Sequence, residues 1–336
     1  MKKVIAIIIL SLLSILSYSQ TTTEWSQVGE SLPYNADNIS TMTIYNESPC
    51  VAYTTGDNSS LVVSIYDGKS WNKYGFDPKL SSLLKNDDWP SLIVSNGNLY
   101  VAFRHTDWNG MGGKQTYGIC VLQLVGNQFE ILGDTKYLTK NSIESLSKSL
   151  AVSTNNNQLF VAYATQNTGK ITVKKWDGKV WSTVGNVGFG ETPMQGTTCD
   201  TLSLDFVGST PYISYNVYIN VSSTQCRNKG FVEKLDGNRW VGVGSSNGMI
   251  PLNEPSDIQL VVNNSTPYIL CTNSLGYGNG WQYCVMKFNG TDWKSVGNLT
   301  IPSPVGNRGY LTFYKNSPVA AFQTTYDTTY ITYLNL

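Results

Sequence analysis

The residues of this sequence best suited to chemistry are carboxylates, aromatic rings and a few basic groups, set in long stretches between apolar runs. They are Asp88 and Trp89 in "NDDWP", Arg104, His105, Asp107 and Trp108 in "RHTDW", then Asp200, Asp257, Tyr277, Trp281 and Arg308. Such rings stack on the apolar faces of sugars, while carboxylates, amides and guanidinium groups take paired hydroxyls. Two carboxylates at a suitable separation would also be enough for glycoside hydrolysis. Other chemistries fare worse. His105 is the only histidine, which removes His-rich metal sites. A Ser or Cys triad needs a histidine placed against its nucleophile, and only one is present; His105 is expected to be a loop residue. Asp88, Asp200 and Asp257 offer the hard oxygen ligands that Ca²⁺ prefers, but no EF-hand-like spacing supports a calcium loop, so no metal or cofactor is assigned.

These residues need a scaffold, and the sequence supplies one by repetition. "IYDGKSWNKYG", "KKWDGKVWSTVG", "KLDGNRWVGVG" and "KFNGTDWKSVG" are copies of one hairpin, and "LVGNQFEILG" fits it with Phe129 at the Trp position. Asp-Gly or Asn-Gly between β-prone runs is a strong hairpin signal, because both residues tolerate positive φ. Upstream of each copy lies a second pair of runs, as in "SLIVSNGNLYVAF" and "IQLVVNNSTPYILC". Each unit of about 50 residues therefore has four strands, a to d, and the set predicts an all-β, six-bladed β-propeller. The ends are complementary: "EWSQVG" is strand d alone, and the last unit, 309–336, has only a to c. The N-terminal strand is expected to pair with the C-terminal blade and close the ring, which removes free sheet edges.

Trp71, Trp181, Trp240 and Trp293 hold the same place in their units, and a residue required in every repeat reads as packing between neighbours. Function should lie where the repeats differ. The b–c loops and the d–a connections share one face of a propeller, and here both are long and unequal. Aligned columns put Asn38, Asp88, Asp200, Ser256 and Asn307 at the mouth of the channel, with Asp257 and Arg308 one residue later.

The repeat resembles that of secreted propellers such as the sialidase-type Asp-box and kelch-like proteins, in which a Gly-turn-Trp hairpin recurs once per blade. "YDGKSW" keeps only the latter half of the Asp-box pattern S-x-D-x-G-x-x-W, so the resemblance implies architecture and no catalytic residues. A sialidase-like site needs an arginine cluster for the substrate carboxylate. The chain has Arg104, Arg227, Arg239 and Arg308, and Arg239 belongs to a DG turn.

Charge and targeting bound the rest. The 23 basic and 23 acidic side chains cancel, which gives no electrostatic reason for nucleic acid as partner. Lys2, Lys3, the apolar run 4–16 and the small residues Ser17 and Ser19 read as a signal peptide over 1–19, with the propeller over 20–336. The apolar run is too short to span a bilayer. No integral membrane segment is expected in the mature chain, which should be secreted, or periplasmic in a bacterium. Cys199 with Cys226, and Cys271 with Cys284, are expected disulfides; Cys50 and Cys120 are expected to be buried thiols. N-x-S/T sequons at Asn38, Asn46, Asn58, Asn220, Asn264, Asn289 and Asn298 suit a glycoprotein in a eukaryotic secretory route. The expectation is a lectin-like, non-enzymatic binding module for a glycan or glycoprotein. The alternatives are a glycoside hydrolase or lyase using paired carboxylates on the same face, and a protein-interaction or adhesion module.

Overall fold

The computed structural model describes residues 36–55, 60–80, 87–107, 116–133, 137–138, 146–165, 168–192, 199–220, 222, 226–275, 281–297, 305–314, 316–324 and 329–333. The expected signal peptide, the "EWSQVG" strand, Trp108 and Tyr277 lie outside these residues, as do the side chains of Asp88, Trp89, Asp107, Asp200 and Arg308. The described chain is strand and turn, with one 3-10 turn at Pro78–Leu80 and no α-helix.

Six antiparallel meanders follow one another along the chain. Sheet 1 is Ala36–Tyr45, Ser48–Thr55, Ser60–Tyr66 and Trp71–Lys73, and sheet 2 is built on Asp87–Ser95, Asn98–Asp107, Thr116–Val125 and Gln128–Ile131. Sheet 3 is Leu146–Asn155, Gln158–Thr165, Ile171–Trp176 and Trp181–Thr183. Sheet 4 is Cys199–Val207, Thr210–Asn220, Cys226–Asp236 and Arg239–Gly242. Sheet 5 is Pro255–Asn263, Thr266–Ser274, Trp281–Phe288 and Trp293–Ser295, and sheet 6 is Val305–Tyr314, Ser317–Thr324 and Thr329–Tyr333. The first strands of successive sheets pack side by side. Second strands such as Thr266–Ser274 are buried on both faces, because a sheet lies against each side; this is why they read as apolar runs rather than alternations.

The Asp-Gly turns are structural. The Asp177 carboxylate accepts N–H bonds from Lys179 and Val180, both at 2.9 Å. The Asn289 side chain does the same for Thr291 and Asp292, at 3.0 and 2.8 Å. At Asp67 the Ser70 and Lys69 amides hold the carboxyl down to about 2. Each side chain caps its own turn and leaves Gly68, Gly178 and Gly290 to take the positive φ.

The repeated tryptophans lock each sheet to the one before it. Trp181 Nε1–H donates to Leu132 O at 3.3 Å, Trp240 to Val184 O at 3.2 Å and Trp293 to Val243 O at 3.1 Å. The next residue is in each case a glycine, Gly133, Gly185 or Gly244, at φ 95°, 72° and 90°, and the indole lies against it. The Phe129 position lacks an indole N–H, and there the seam is closed by the backbone instead. Gly75–Phe76 runs parallel to Gln128–Phe129, and Asp77 N–H donates to Phe129 O at 3.0 Å.

Three expectations need correction. The b–c loops are shorter than the sequence implied, because strands extend into them: Asn220 still pairs with Cys226, and Ser274 with Trp281. His105 belongs to a strand, not a loop, and is 1% exposed. Its ring stacks on Tyr137, centroids 6.1 Å apart, in a space left by Gly118, where a Cβ would meet the Tyr137 ring. All six cysteines are free thiols. Val296 N–H donates to Val285 O at 2.8 Å, so the polar groups of Val285 face the fourth strand of sheet 5 and those of Cys284 face the second. Cys271 and Cys284 are therefore a hydrogen-bonded pair, with Cβ atoms about 5.5 Å apart, too wide for the roughly 3.5–4.5 Å of a disulfide. Cys199 is opposite Val217, whereas Cys226 is opposite Asn220, on the far flank of the shared strand and further along it.

Candidate functional site

One device recurs at the start of every sheet. The first two strands pair regularly until a register shift, between Asp88 and Ser91, Asp200 and Ser203, and Ser256 and Gln259. Two residues there face one, a β-bulge, which bends the strand and re-aims a side chain. In sheets 4 and 5 the bulge residue takes a left-handed backbone without being glycine: Thr201 at φ 46° and Asp257 at φ 51°. Such a conformation costs about 1–3 kcal/mol and persists only where its surroundings enforce it.

The residues that precede the bulges face polar partners across the sheet. Asn38 is opposite Thr54, Asp88 opposite Arg104, Asp200 opposite Asn216 and Ser256 opposite Thr272. The structure thus puts Asp88, Asp200 and Ser256 at equivalent positions of their sheets, with Asp257 next in line. Arg308 lies in the corresponding irregular stretch of sheet 6, between Val305 and Gly309.

The described side chains are densest at the junction of sheets 4 and 5. Asn216 Nδ2 donates to Asn228 Oδ1 at 3.1 Å, both buried, and the Thr201 hydroxyl donates to the Asn216 side-chain oxygen. Thr201 Oγ1 in turn accepts from Ile258 N–H at 3.4 Å. Ser256 and Thr272 share a hydroxyl–hydroxyl bond of 2.7 Å. Asn273 Oδ1 accepts the Asn253 and Glu254 amides at 3.1 and 3.3 Å. Lys229 Nζ donates to Asn253 O at 2.6 Å, and Arg227 pairs with Glu254 at 3.1 Å. The connection 250–254 is so clamped between the hairpin of sheet 4 and the second strand of sheet 5, immediately before Asp257.

The Asp257 charge acts on two groups at this junction, in each case after burial. Burial, and then the Asp257 charge, push the Tyr283 phenol up to about 12, so it stays protonated at ordinary pH. The thiol of buried Cys271 is pushed up by burial, by Cys284 and by the same carboxylate. Trp281 and Tyr218, 41% and 46% exposed, stand further out on the hairpins of sheets 5 and 4, opposite Ser274 and Asn228. A carboxylate with a neighbouring protonated phenol and exposed rings can exchange a proton with a sugar and hold its apolar face. Among the described residues no cluster of three or more His, Cys, Asp or Glu could hold a metal ion.

The structure puts the backbones of Asp88, Asp200 and Ser256 at equivalent places of their sheets, with Asp257 next to Ser256, and Trp281 at the far end of the third strand of sheet 5, opposite Ser274. It removes His105 from the face. Residues that the sequence reading missed are Thr201, Asn216, Asn228, Thr272, Asn273 and Tyr283. A signal for two of them existed: Asn216 and Thr272 directly follow Tyr215 and Cys271, polar residues inside runs that burial would otherwise make apolar.

No family model matches the chain, and no curated protein matches it. Among solved structures, the polysaccharide lyase Uly1 shares the fold with a TM-score of 0.53 at 11% identity, over 88% of this chain and 77% of that one. A thermostable family-43 glycoside hydrolase is similar at TM-score 0.45 and 13% identity, covering 78% of this chain and 93% of its own. The Cellvibrio cellulosa α-L-arabinanase complexed with arabinohexaose reaches 0.43 at 10% identity, over 78% and 96%. The first of these neighbours overturns the expectation of a non-enzymatic binding module, since the fold shared at 0.53 is one that a polysaccharide-cleaving enzyme uses. Of the expected likeness the architecture alone is shown: an all-β chain with multiple four-stranded sheets.

Proposed function

We propose that this chain is a carbohydrate-active enzyme that cleaves a polysaccharide at the rim of sheets 4 and 5. The observation that carries the reading is Asp257, held at φ 51° in a strand bulge and close enough for its charge to raise the Tyr283 phenol. Left-handed backbone outliers cluster at active sites, and a bulge re-aims the side chain it carries, which supports a working role for Asp257. Asp257 serves as the proton-transferring carboxylate, Trp281 and Tyr218 as stacking surfaces, and Asp200 and Asp88 as candidate second carboxylates on the rim. The same reading takes the six sheets as six blades closed into a ring by "EWSQVG", secreted behind the signal peptide 1–19.

The test is a panel of polysaccharides incubated with the mature protein, read both as new reducing ends and as ultraviolet-absorbing unsaturated products. The first signal alone marks hydrolysis; both together mark elimination. Asp257→Asn should lower kcat by about 10²–10⁴ with the fold intact, as removal of a general acid or base does. An Asp257→Asn protein as active as the wild type would refute the assignment, and no cleavage across neutral and acidic glycans would refute the enzyme.

A further inference from the structure

The inner strands of successive sheets join in one repeated way. Leu92, Leu204, Leu260 and Leu311 occupy equivalent places, opposite Val101, Ile213, Ile269 and Ala320. All four are buried, between 3% and 6% exposed. Each packs on the sheet before it, as Leu204 does in the cluster that holds Phe160 and Ala162 of sheet 3. The preceding sheet reaches across to the backbone at the same level. Ser203 Oγ accepts from Leu260 N–H at 3.0 Å, and Gln259 Oε1 accepts from Leu311 N–H at 2.5 Å.

Met42 has this place in sheet 1, opposite Val51, yet it is 67% exposed; Ile44, the counterpart of Phe206 and Val262, is 57% exposed. Tyr310, opposite Ala321, has the place of Ser203 and Gln259 in sheet 6, and it is 55% exposed. The repeat register that joins Ser203 to Leu260 and Gln259 to Leu311 would join Tyr310 to Met42.

We propose that Met42 and Ile44 on sheet 1 and Tyr310 on sheet 6 are the two halves of one inter-sheet seam, closed within a single chain. The Met42 place is buried in sheets 2, 4, 5 and 6 and half-buried at Val152 of sheet 3, and the Ile44 place is buried or half-buried in every other sheet, so strong exposure of both in sheet 1 marks an interface. The occupant of the Met42 face is the Tyr310 face of the same molecule, because continuity with four equivalent seams sets both its chemistry and its register. The proposal deepens the ring reading above and is independent of the catalytic assignment.

Two measurements on the full mature chain test it. In wild-type protein, brief hydroxyl-radical oxidation followed by mass spectrometry compares Met42 with Met249, which is 37% exposed. Met42 should oxidise several-fold more slowly; equal or faster oxidation would overturn the seam. In a Met42→Cys/Tyr310→Cys variant carrying Cys226→Ser, a short bismaleimide should give a 42–310 cross-link in monomers. A 42–310 link found only between two chains would assign the surface to a dimer and overturn closure within the chain, and so would absence of the link in folded protein. Polysaccharide cleavage is read separately, so failure of the enzyme reading leaves this outcome standing.

Discussion

Replacing Gly244 by alanine should be among the most damaging single-methyl changes in the fold, and its cost can be divided. Gly244 has φ 90°, a backbone that costs an L-residue about 1–3 kcal/mol. A Cβ there would also sit 2.7 Å from Trp293 Cδ1 and 3.0 Å from Nε1. The indole cannot retreat: Trp293 is buried and its N–H holds Val243 O at 3.1 Å. Overpacking of this kind adds about 1–3 kcal/mol. Gly290 provides the control, with φ 104° and nothing within 4 Å of an added methyl, so Gly290→Ala carries the backbone cost alone. Equilibrium urea unfolding should show Gly244→Ala less stable than Gly290→Ala by the packing difference, about 1–3 kcal/mol. Combining Gly244→Ala with Trp293→Leu removes the struck ring, and the double variant should be more stable than additivity predicts by a similar amount. Equal effects at the two glycines, or strict additivity in the cycle, would show that the Trp–Gly contact is not what joins the sheets.

Three further outcomes follow from particular groups. Glu233 is buried and accepts the Tyr215 hydroxyl at 2.5 Å; burial raises its pKa, Glu191 adds to this, and Tyr215 and Lys170 oppose it. A carboxyl raised on folding stabilises below its unfolded value near 4.5 and loses that contribution as pH rises through its folded value. Glu233→Gln keeps the acceptor oxygen, so its stability relative to wild type should increase from pH 4 to pH 7 in denaturant titrations; a pH-independent difference would contradict the buried charge. Without reductant, unfolded protein should take six alkyl groups by intact mass, whereas folded protein should react first at exposed Cys226; fewer than six would reveal a disulfide. Asn273→Ala frees the Asn253 and Glu254 amides that flank the bulge, and should cost about 1–3 kcal/mol of stability while lowering kcat more than it changes KM.

Much of the scaffold was legible because its causes are local. Asp-Gly and Asn-Gly turns, apolar runs of strand length and a Trp at a fixed offset from glycine act within a few residues. The sheets accordingly fall where the repeats placed them, apart from hairpins such as 216–230, whose β-prone Tyr, Val and Ile residues carry the strands further than turn chemistry alone suggested. The sequence also marked the first strands as the rim, since the aligned column that contains Asp200 and Ser256 is a column in the fold.

What the tertiary structure alone decided depends on which face meets which neighbour. Thr201 does not advertise a left-handed backbone, and Asp257 merely tolerates one; the bulge imposes it on both. His105 looked accessible in "RHTDW" and is buried because Gly118 leaves room for Tyr137 to cover it. Cys271 and Cys284 looked like a staple and are kept apart by the phase of a hydrogen-bond ladder. Local spacing specified the strands and turns of this protein, but the parity of a strand and the packing of the next sheet determined which side chains were left to act.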